Sequence, residues 1–78
     1  MDRGVAVLLN GDEAVVLFDM LHRWEDDGTL ERLPFGDQAE QRLIWDLSAA
    51  LEPMIDEVFN LDYRDVVERA RAAVRDLQ

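Results

Sequence analysis

The side chains that carry chemistry are few in this chain. There is one histidine, His22, one tyrosine, Tyr63, one serine, Ser48, and neither lysine nor cysteine. A serine nucleophile needs a histidine base and oxyanion-binding amides beside it, and nothing in the sequence brings Ser48 to His22. The four glycines fall singly at the ends of elements and form no phosphate-binding loop. The sequence therefore predicts a protein without catalysis and without a cofactor.

The best candidate for a metal site is the group Asp19, His22 and Asp26. Spacings of three and four residues place the three side chains on one stripe of a helix. The pattern matches half of a di-iron carboxylate-histidine bundle, whose other half would have to come from a second subunit. A solvated polar face with Arg23 beside it explains the same pattern, so we expect no bound metal. A metal-binding bundle or metal-dependent enzyme assembled across a dimer around His22 remains the alternative.

A second charged feature is the arginine flank of the last predicted helix. Arg64, Arg71 and Arg75 share this flank, and Glu68 lies between them. Arginines in a row can contact phosphates, so a DNA-binding regulator that uses this helix is a further alternative. The interrupting acid favours ion pairs with neighbouring acids instead.

Net charge limits the choice of partners. Eighteen acidic residues against eight basic ones give a formal net charge of -10. Such a field repels phosphate backbones and anionic lipid surfaces and attracts cationic partners, although it also simply keeps a small protein soluble. We therefore expect no nucleic acid and no membrane, and a partner protein of basic character.

Length and composition place the chain in a class. Its 78 residues indicate one domain with a small core, and chains this short often gain stability from a second subunit, so a homodimer is expected. The longest apolar run, residues 5–9, is too short to span a bilayer, which predicts a cytoplasmic protein. All eight basic residues are arginine, a bias that indicates GC-rich coding in a bacterium.

The sequence contains three helix-start signals. At each one a capping side chain stands three residues before an acid in the first turn. The three pairs are Asn10 with Glu13, Asp37 with Glu40, and Asp62 with Asp65. They predict helices at about 11–27, 37–52 and 62–77, with Gly28 as a left-handed stop. Pro53 disfavours regular helix after Glu52, although residues 54–58 could continue as a kinked turn. The fold expected is an all-α three-helix domain over residues 1–78.

The segment before the first helix is apolar and reads as a short strand or extended lead-in over residues 4–9. A strand cannot form a sheet alone. It could pair with residues 30–35, or with its own copy in a second subunit. Residues 28–36, which carry Gly28, Pro34 and Gly36, are expected to form the connecting loop.

The apolar stripes predict how the helices pack. The first helix carries apolar residues over roughly 200°, wider than one neighbour can bury, so it should be central. The last helix has a stripe of roughly 120°, the width of a helix that covers a core from one side. The second helix is expected to bury the following residues, with Ile44 at the border: Ala39, Leu43, Leu47, Ala50 and Leu51.

Trp45 does not fit that stripe. It points roughly 160° away from it, among Gln41, Ala49 and Glu52. One interpretation is that the 28–36 loop or the N-terminal segment folds over the ring, with Phe35 against it. The other is a contact with a partner or a second subunit, since tryptophan is enriched at interface hot spots. In the second case Trp45, Gln41, Ala49 and Glu52 form the interface.

Two segments resemble a known group of proteins. Residues 12–18 and 37–47, followed by Leu51, Glu52 and the helix that begins at Asp62 and Tyr63, are similar to a group of short uncharacterised bacterial proteins with the same helix order. The resemblance covers residues 8–76 and implies no activity. Pro53 departs from that pattern.

Together these features predict a small acidic module that acts by binding another protein. The size and charge are typical of regulatory or inhibitory proteins that neutralise a basic target, as antitoxins and immunity proteins do. The metal-dependent and DNA-binding alternatives stay open.

Overall fold

The computed structural model describes residues 3–55 and 62–76, and the chain is an all-α domain over them, as predicted. Four helices follow one another in the order α1 Gly11–Asp26, α2 Thr29–Arg32, α3 Gln38–Ile55 and α4 Tyr63–Arg75. The three long helices are those that the capping pairs predict. The predicted end of the last helix at Leu77 lies outside the described residues.

The starts of α1 and α4 have the caps that the sequence predicts. At α1 the backbone amide of Glu13 donates to Asn10 Oδ1 at 2.8 Å, and the amide of Asn10 donates to Glu13 Oε1 at 2.9 Å. At α4 the amide of Asp65 donates to Asp62 Oδ1 at 3.4 Å. Each cap satisfies amide groups that have no partner inside the helix.

The cap of α3 uses the predicted residues with a shifted pairing. Asp37 Oδ2 accepts from the amide of Ala39 at 2.7 Å, one residue earlier than in a capping box. Glu40 Oε1 accepts from the amide of Gly36 at 2.7 Å. The acid therefore holds the residue before the cap, and the bend at Gly36 is fixed together with the helix start.

The loop predicted at 28–36 is partly wrong, because a single helical turn, α2, forms within it. Gly28 adopts φ 80, the left-handed conformation expected of a helix stop. The amide of Thr29 then donates to Asp27 Oδ1 at 2.9 Å, and Leu30 is buried. Burial of Leu30 against the domain and the cap from Asp27 stabilise a turn that its composition alone does not indicate.

The second helix runs past its predicted end at about residue 52, since α3 continues through Pro53 to Ile55. Proline removes one amide, the donor that would have bonded to the carbonyl of Ala49. Ala49 and Pro53 are both exposed, so water can take the place of the missing donor. The cost is small enough for the helix to continue.

α1 is the central helix, as its wide apolar arc predicts. It packs against α2, α3 and α4, and no other pair of helices packs extensively within the described residues. On one side Phe18 and Leu21 form a core with Leu51 of α3. On the other side Val15 forms a separate core with Val67 and Ala70 of α4.

The predicted buried face of α3 is only partly right. Leu47 and Leu51 do pack in the core, but Ala39 and Ala50 are exposed and Leu43 is 65% exposed. Ile44 and Ser48 face inward instead, and Ser48 is only 2% exposed. The inward face is rotated because α1 is the one helix against which α3 packs extensively within the described residues, and the small Ser48 permits close approach of the two helices there.

The N-terminal segment forms no strand within the part of the chain that the structure describes. Residues 3–10 belong to no helix or strand and form no strand pairing there. Val5, Val7 and Leu8 are strongly exposed. A strand needs a neighbour for its amides and carbonyls, and residues 29–32 are helical and cannot supply one. Among the described residues, no helix combines the length and apolarity that crossing a membrane requires.

Candidate functional site

A buried carboxylate lies between α1 and α4. Asp19 of α1 is only 4% exposed, so the predicted solvated face is wrong at this position. Its Oδ1 accepts a short hydrogen bond from the hydroxyl of Tyr63, the first residue of α4. Its Oδ2 accepts from Arg23 Nε at 3.0 Å and from Arg71 Nη2 at 3.1 Å. Both carboxylate oxygens are therefore occupied by donors.

These contacts set the ionisation of the group. Burial raises the pKa of Asp19, but hydrogen bonds from Tyr63 and Arg23 and the charges of Arg23 and Arg71 outweigh it and hold the pKa below its usual value. Burial, followed by the hydrogen bond to Asp19, raises the pKa of Tyr63 to about 12. At neutral pH the pair is an ionised acid and a neutral phenol. Neither group is suited to transfer protons at that pH.

The network borders an open groove of about 360 Å³. Besides the network itself, Arg64, Val67 and Glu68 line it. Arg71 Nη1 also pairs with Glu68 Oε2 at 3.2 Å, so positive charge in the groove is matched by acids of the same chain. We assign this cluster a structural role, the attachment of α4 to α1, because its polar groups are directed to each other.

The three residues of the predicted metal site border one groove, but their side chains do not converge to bind a metal ion. Asp19, His22 and Asp26 all border an open surface groove. The His22 ring stacks on Phe18, with ring centroids 5.3 Å apart and an interplanar angle of 14°. Among the described residues no three histidine, cysteine or acidic side chains converge as metal ligands. Asp19 would have to exchange its hydrogen bonds for a metal bond.

Two of the three arginines that the sequence singled out, Arg71 and Arg75, form ion pairs within the described residues, and Arg64 forms none there. Arg71 pairs with Asp19 and Glu68, and Arg75 Nε lies 3.7 Å from Asp76 Oδ1. Arg69, which the sequence reasoning did not single out, pairs with Asp65 at 3.1 Å. Much of the positive charge on this helix is thus neutralised within the domain.

Trp45 lies at the surface, as its position outside the predicted stripe implies. It is 46% exposed, Ala49 and Glu52 are exposed, and Gln41 is half-buried. The 28–36 connection reaches one side of the ring without covering it. Trp45 shares a groove of about 380 Å³ with residues from the end of α1 and from α2, which are Trp24, Glu25, Gly28, Leu30 and Glu31. Phe35 is not among the residues that line this groove.

Sequence reasoning missed two features of the surface. The Asp19 network was missed because Asp19 was grouped with the polar residues His22 and Asp26. Its spacing of four from Val15 and its position next to Phe18 place it on the inward face of α1 and could have revealed it. The groove that Trp24 and Trp45 share was missed because their proximity depends on the path of the chain after Gly28, and no periodicity in the sequence encodes that path.

The fold and these surfaces define a small acidic all-α domain with one internal polar cluster and one tryptophan-lined groove. No protein family, no curated protein and no solved structure matches the chain.

Proposed function

We propose that this chain is a non-catalytic protein-interaction module that binds a basic partner protein. One observation supports this most strongly: Trp45 stands about half exposed on a face of α3 that also carries exposed Ala49 and Glu52. A large ring left half in water on a polar helix face is costly to keep unless another surface covers it. Tryptophans that become buried at an interface commonly contribute about 2 kcal/mol or more to binding.

Charge supports a basic partner. The net charge of -10 produces an attractive field for a cationic protein and raises the rate of productive encounters. By analogy of size and charge, the module is a regulatory or inhibitory protein of the antitoxin or immunity type. The setting we propose is the cytoplasm of a bacterium.

The hydrogen bonds of Asp19 favour this proposal over a metal-dependent enzyme around His22. Both oxygens of the carboxylate accept from donors of the same chain, and replacing those donors with a metal ion would leave Arg71 without its buried partner. The ion pairs of Arg71 and Arg75 likewise favour it over a DNA-binding regulator. A salt-bridged arginine must first release its acid before it can bind phosphate.

Self-association is a second part of the proposal. Val5, Val7 and Leu8 present exposed apolar side chains on a segment that belongs to no helix. Such a segment has backbone amides and carbonyls that could pair, as a strand, with a second copy of itself. Sedimentation of the purified chain measures this directly.

The test of partner binding compares wild type with two variants of α3, one that truncates Trp45 and one that truncates Leu43. Tagged wild type, Trp45→Ala and Leu43→Ala are used to capture proteins from a lysate of the native host, and captured proteins are identified by mass spectrometry. Leu43 is the matched control because it is another exposed large apolar residue of α3, about 200° around the helix from Trp45. We expect one basic protein to be retained by wild type and Leu43→Ala and lost with Trp45→Ala.

Circular dichroism must show unchanged helical content for each variant. Ala49→Arg, which adds a bulky charge at an exposed position of the same face, provides a second disruption that leaves the core untouched. Retention of the partner by both Trp45→Ala and Ala49→Arg would contradict the proposal.

A further inference from the structure

The groove that Trp24 and Trp45 share is lined by residues of α1, α2 and α3 and by the turn at Gly28. Trp24 comes from the last turns of α1 and packs against the Phe18, Leu21 and Leu51 core, so its ring is held in place. Trp45 comes from α3 and is 46% exposed. Buried Leu30 and the turn at Gly28 complete the groove, which is small for a ligand site. Two tryptophans and a backbone turn thus line one open groove.

The rim of this groove is acidic. Glu25 and Glu31 line it, both are exposed, and neither forms an ion pair within residues 3–55 and 62–76. Arg32 is the nearest cation in sequence: its Nη2 donates to Thr29 Oγ1 at 3.4 Å and its Nη1 lies beside Gly28, but Arg32 is not among the residues that line the groove. Two carboxylates without an ion pair among the described residues thus stand beside two aromatic rings.

We propose that this groove receives an arginine side chain of the partner protein, an inference that rests on the proposed function. The face of an indole ring attracts a cation, and tryptophan does so best among the aromatic residues. A guanidinium is planar, so it can stack on an indole while its edge donates to carboxylates. An anion is disfavoured by the same two acids and by the net charge of -10.

The protein carries its own reporter for this site, because Trp24 and Trp45 are its only tryptophans. The experiment follows the two indole N–H signals by NMR while N-acetylarginine amide is added at constant ionic strength. N-acetylcitrulline amide, which has nearly the same shape and no charge, is the control ligand. We expect both indole signals to shift in a saturable way with the arginine compound and not with the citrulline compound.

Matched variants distinguish binding in the groove from general attraction of a cation to the acidic protein. The double variant Glu25→Gln, Glu31→Gln removes the rim charges, and we expect it to weaken binding by about fivefold to tenfold. Asp12→Asn is the control, since Asp12 lies on the same helix about 20 Å from Glu25 and is also exposed. Its affinity should stay within about twofold of wild type.

Three results would overturn the inference: no saturable shift with arginine, an equal response to citrulline, or equal weakening by Asp12→Asn. None of them bears on the proposed function, which depends on capture of the partner by the Trp45 face. If Trp45→Ala loses the partner while arginine leaves the indole signals unmoved, the interaction module stands and the arginine groove is wrong.

Discussion

Replacing Asp19 with asparagine tests the assignment of the buried cluster as the attachment between α1 and α4. The substitution keeps the shape of the side chain and removes its charge. Asparagine has a single acceptor oxygen, whereas the carboxylate accepts from Tyr63, Arg23 and Arg71. All three donors then lose an ionised acceptor, and the amide group of the asparagine must face a hydroxyl or a guanidinium.

The structure sets the size of the effect. Hydrogen bonds to charged groups contribute about 1.5–3 kcal/mol each, and breaking a fully buried ion pair costs about 3–5 kcal/mol. The arginine side chains here are 55% exposed at Arg23 and 39% exposed at Arg71, so water can solvate them once the acid is gone. We therefore expect a loss of roughly 2 kcal/mol. A domain of 78 residues has about 4–12 kcal/mol in total, so the loss is a large fraction.

Urea denaturation followed by circular dichroism measures this loss, and a thermal melt should show the midpoint lowered by about 8–16 °C. Asp46→Asn is the matched control. Asp46 pairs with Arg42 at 3.4 Å on the exposed surface of α3, and its substitution should cost less than about 0.5 kcal/mol. Equal effects of the two substitutions would refute the structural role of Asp19.

The pH dependence provides a second check. Because the folded-state pKa of Asp19 lies below its usual value of 3.8, its stabilisation is present above that pH and is lost as pH falls through the lowered pKa. The difference between wild type and Asp19→Asn should shrink there. The folded-state pKa of Tyr63 is raised from 10.0 to about 12, so its stabilisation is present below pH 10.0 and is lost as pH rises toward 12.

Tyr63 is the only tyrosine, so tyrosinate absorbance reports its ionisation alone. A midpoint near 10.0 in the folded wild type would contradict the hydrogen bond to Asp19.

Two further substitutions test the backbone and the core. Gly28→Ala should lower the free energy of unfolding by about 1–2 kcal/mol in urea melts, because Gly28 has φ 80 and a Cβ there would lie 3.1 Å from Arg32 Nη1. Gly11→Ala is its control: a Cβ at Gly11 meets nothing within 4 Å, and no loss is expected. Ser48→Ala should leave stability equal or raise it by up to about 1 kcal/mol, because the buried Oγ has no hydrogen-bond partner among the described residues. A clear loss with Ser48→Ala would indicate that the hydroxyl has a partner.

Local signals predicted the helices well because each start is encoded within four residues. Asn10 with Glu13 and Asp62 with Asp65 form their caps without help from the rest of the fold. Gly28 stops α1 for a similarly local reason, its access to positive φ. The central position of α1 also followed from sequence, because an apolar arc of roughly 200° requires two neighbours.

The inward face of α3 could not be obtained in the same way. Periodicity takes the most apolar face of a helix as the buried one, and this criterion favours Leu43 over Ser48 as an inward residue. The packed face is chosen instead by the surface that α1 presents, and α3 has no second neighbour within the described residues to cover Leu43. The Asp19 network depends on pairing residues 44 and 52 positions apart, Tyr63 and Arg71, and no single-sequence pattern reports such pairings.

The core that α1 forms with α3 is separate from the core that it forms with α4, so the two outer helices are held by different contacts. Helix α4 is held by Val67, Ala70 and the Asp19 cluster, and α3 is held by a different set centred on Leu51. Because the outer helices do not pack extensively on each other within the described residues, α4 can detach by a subglobal opening that leaves the contacts between α1 and α3 in place. Trp24 and Trp45 stay with the part that remains closed. The residues that line the tryptophan groove are none of those that hold α4, so we expect a ligand in that groove to leave the attachment of α4 unchanged.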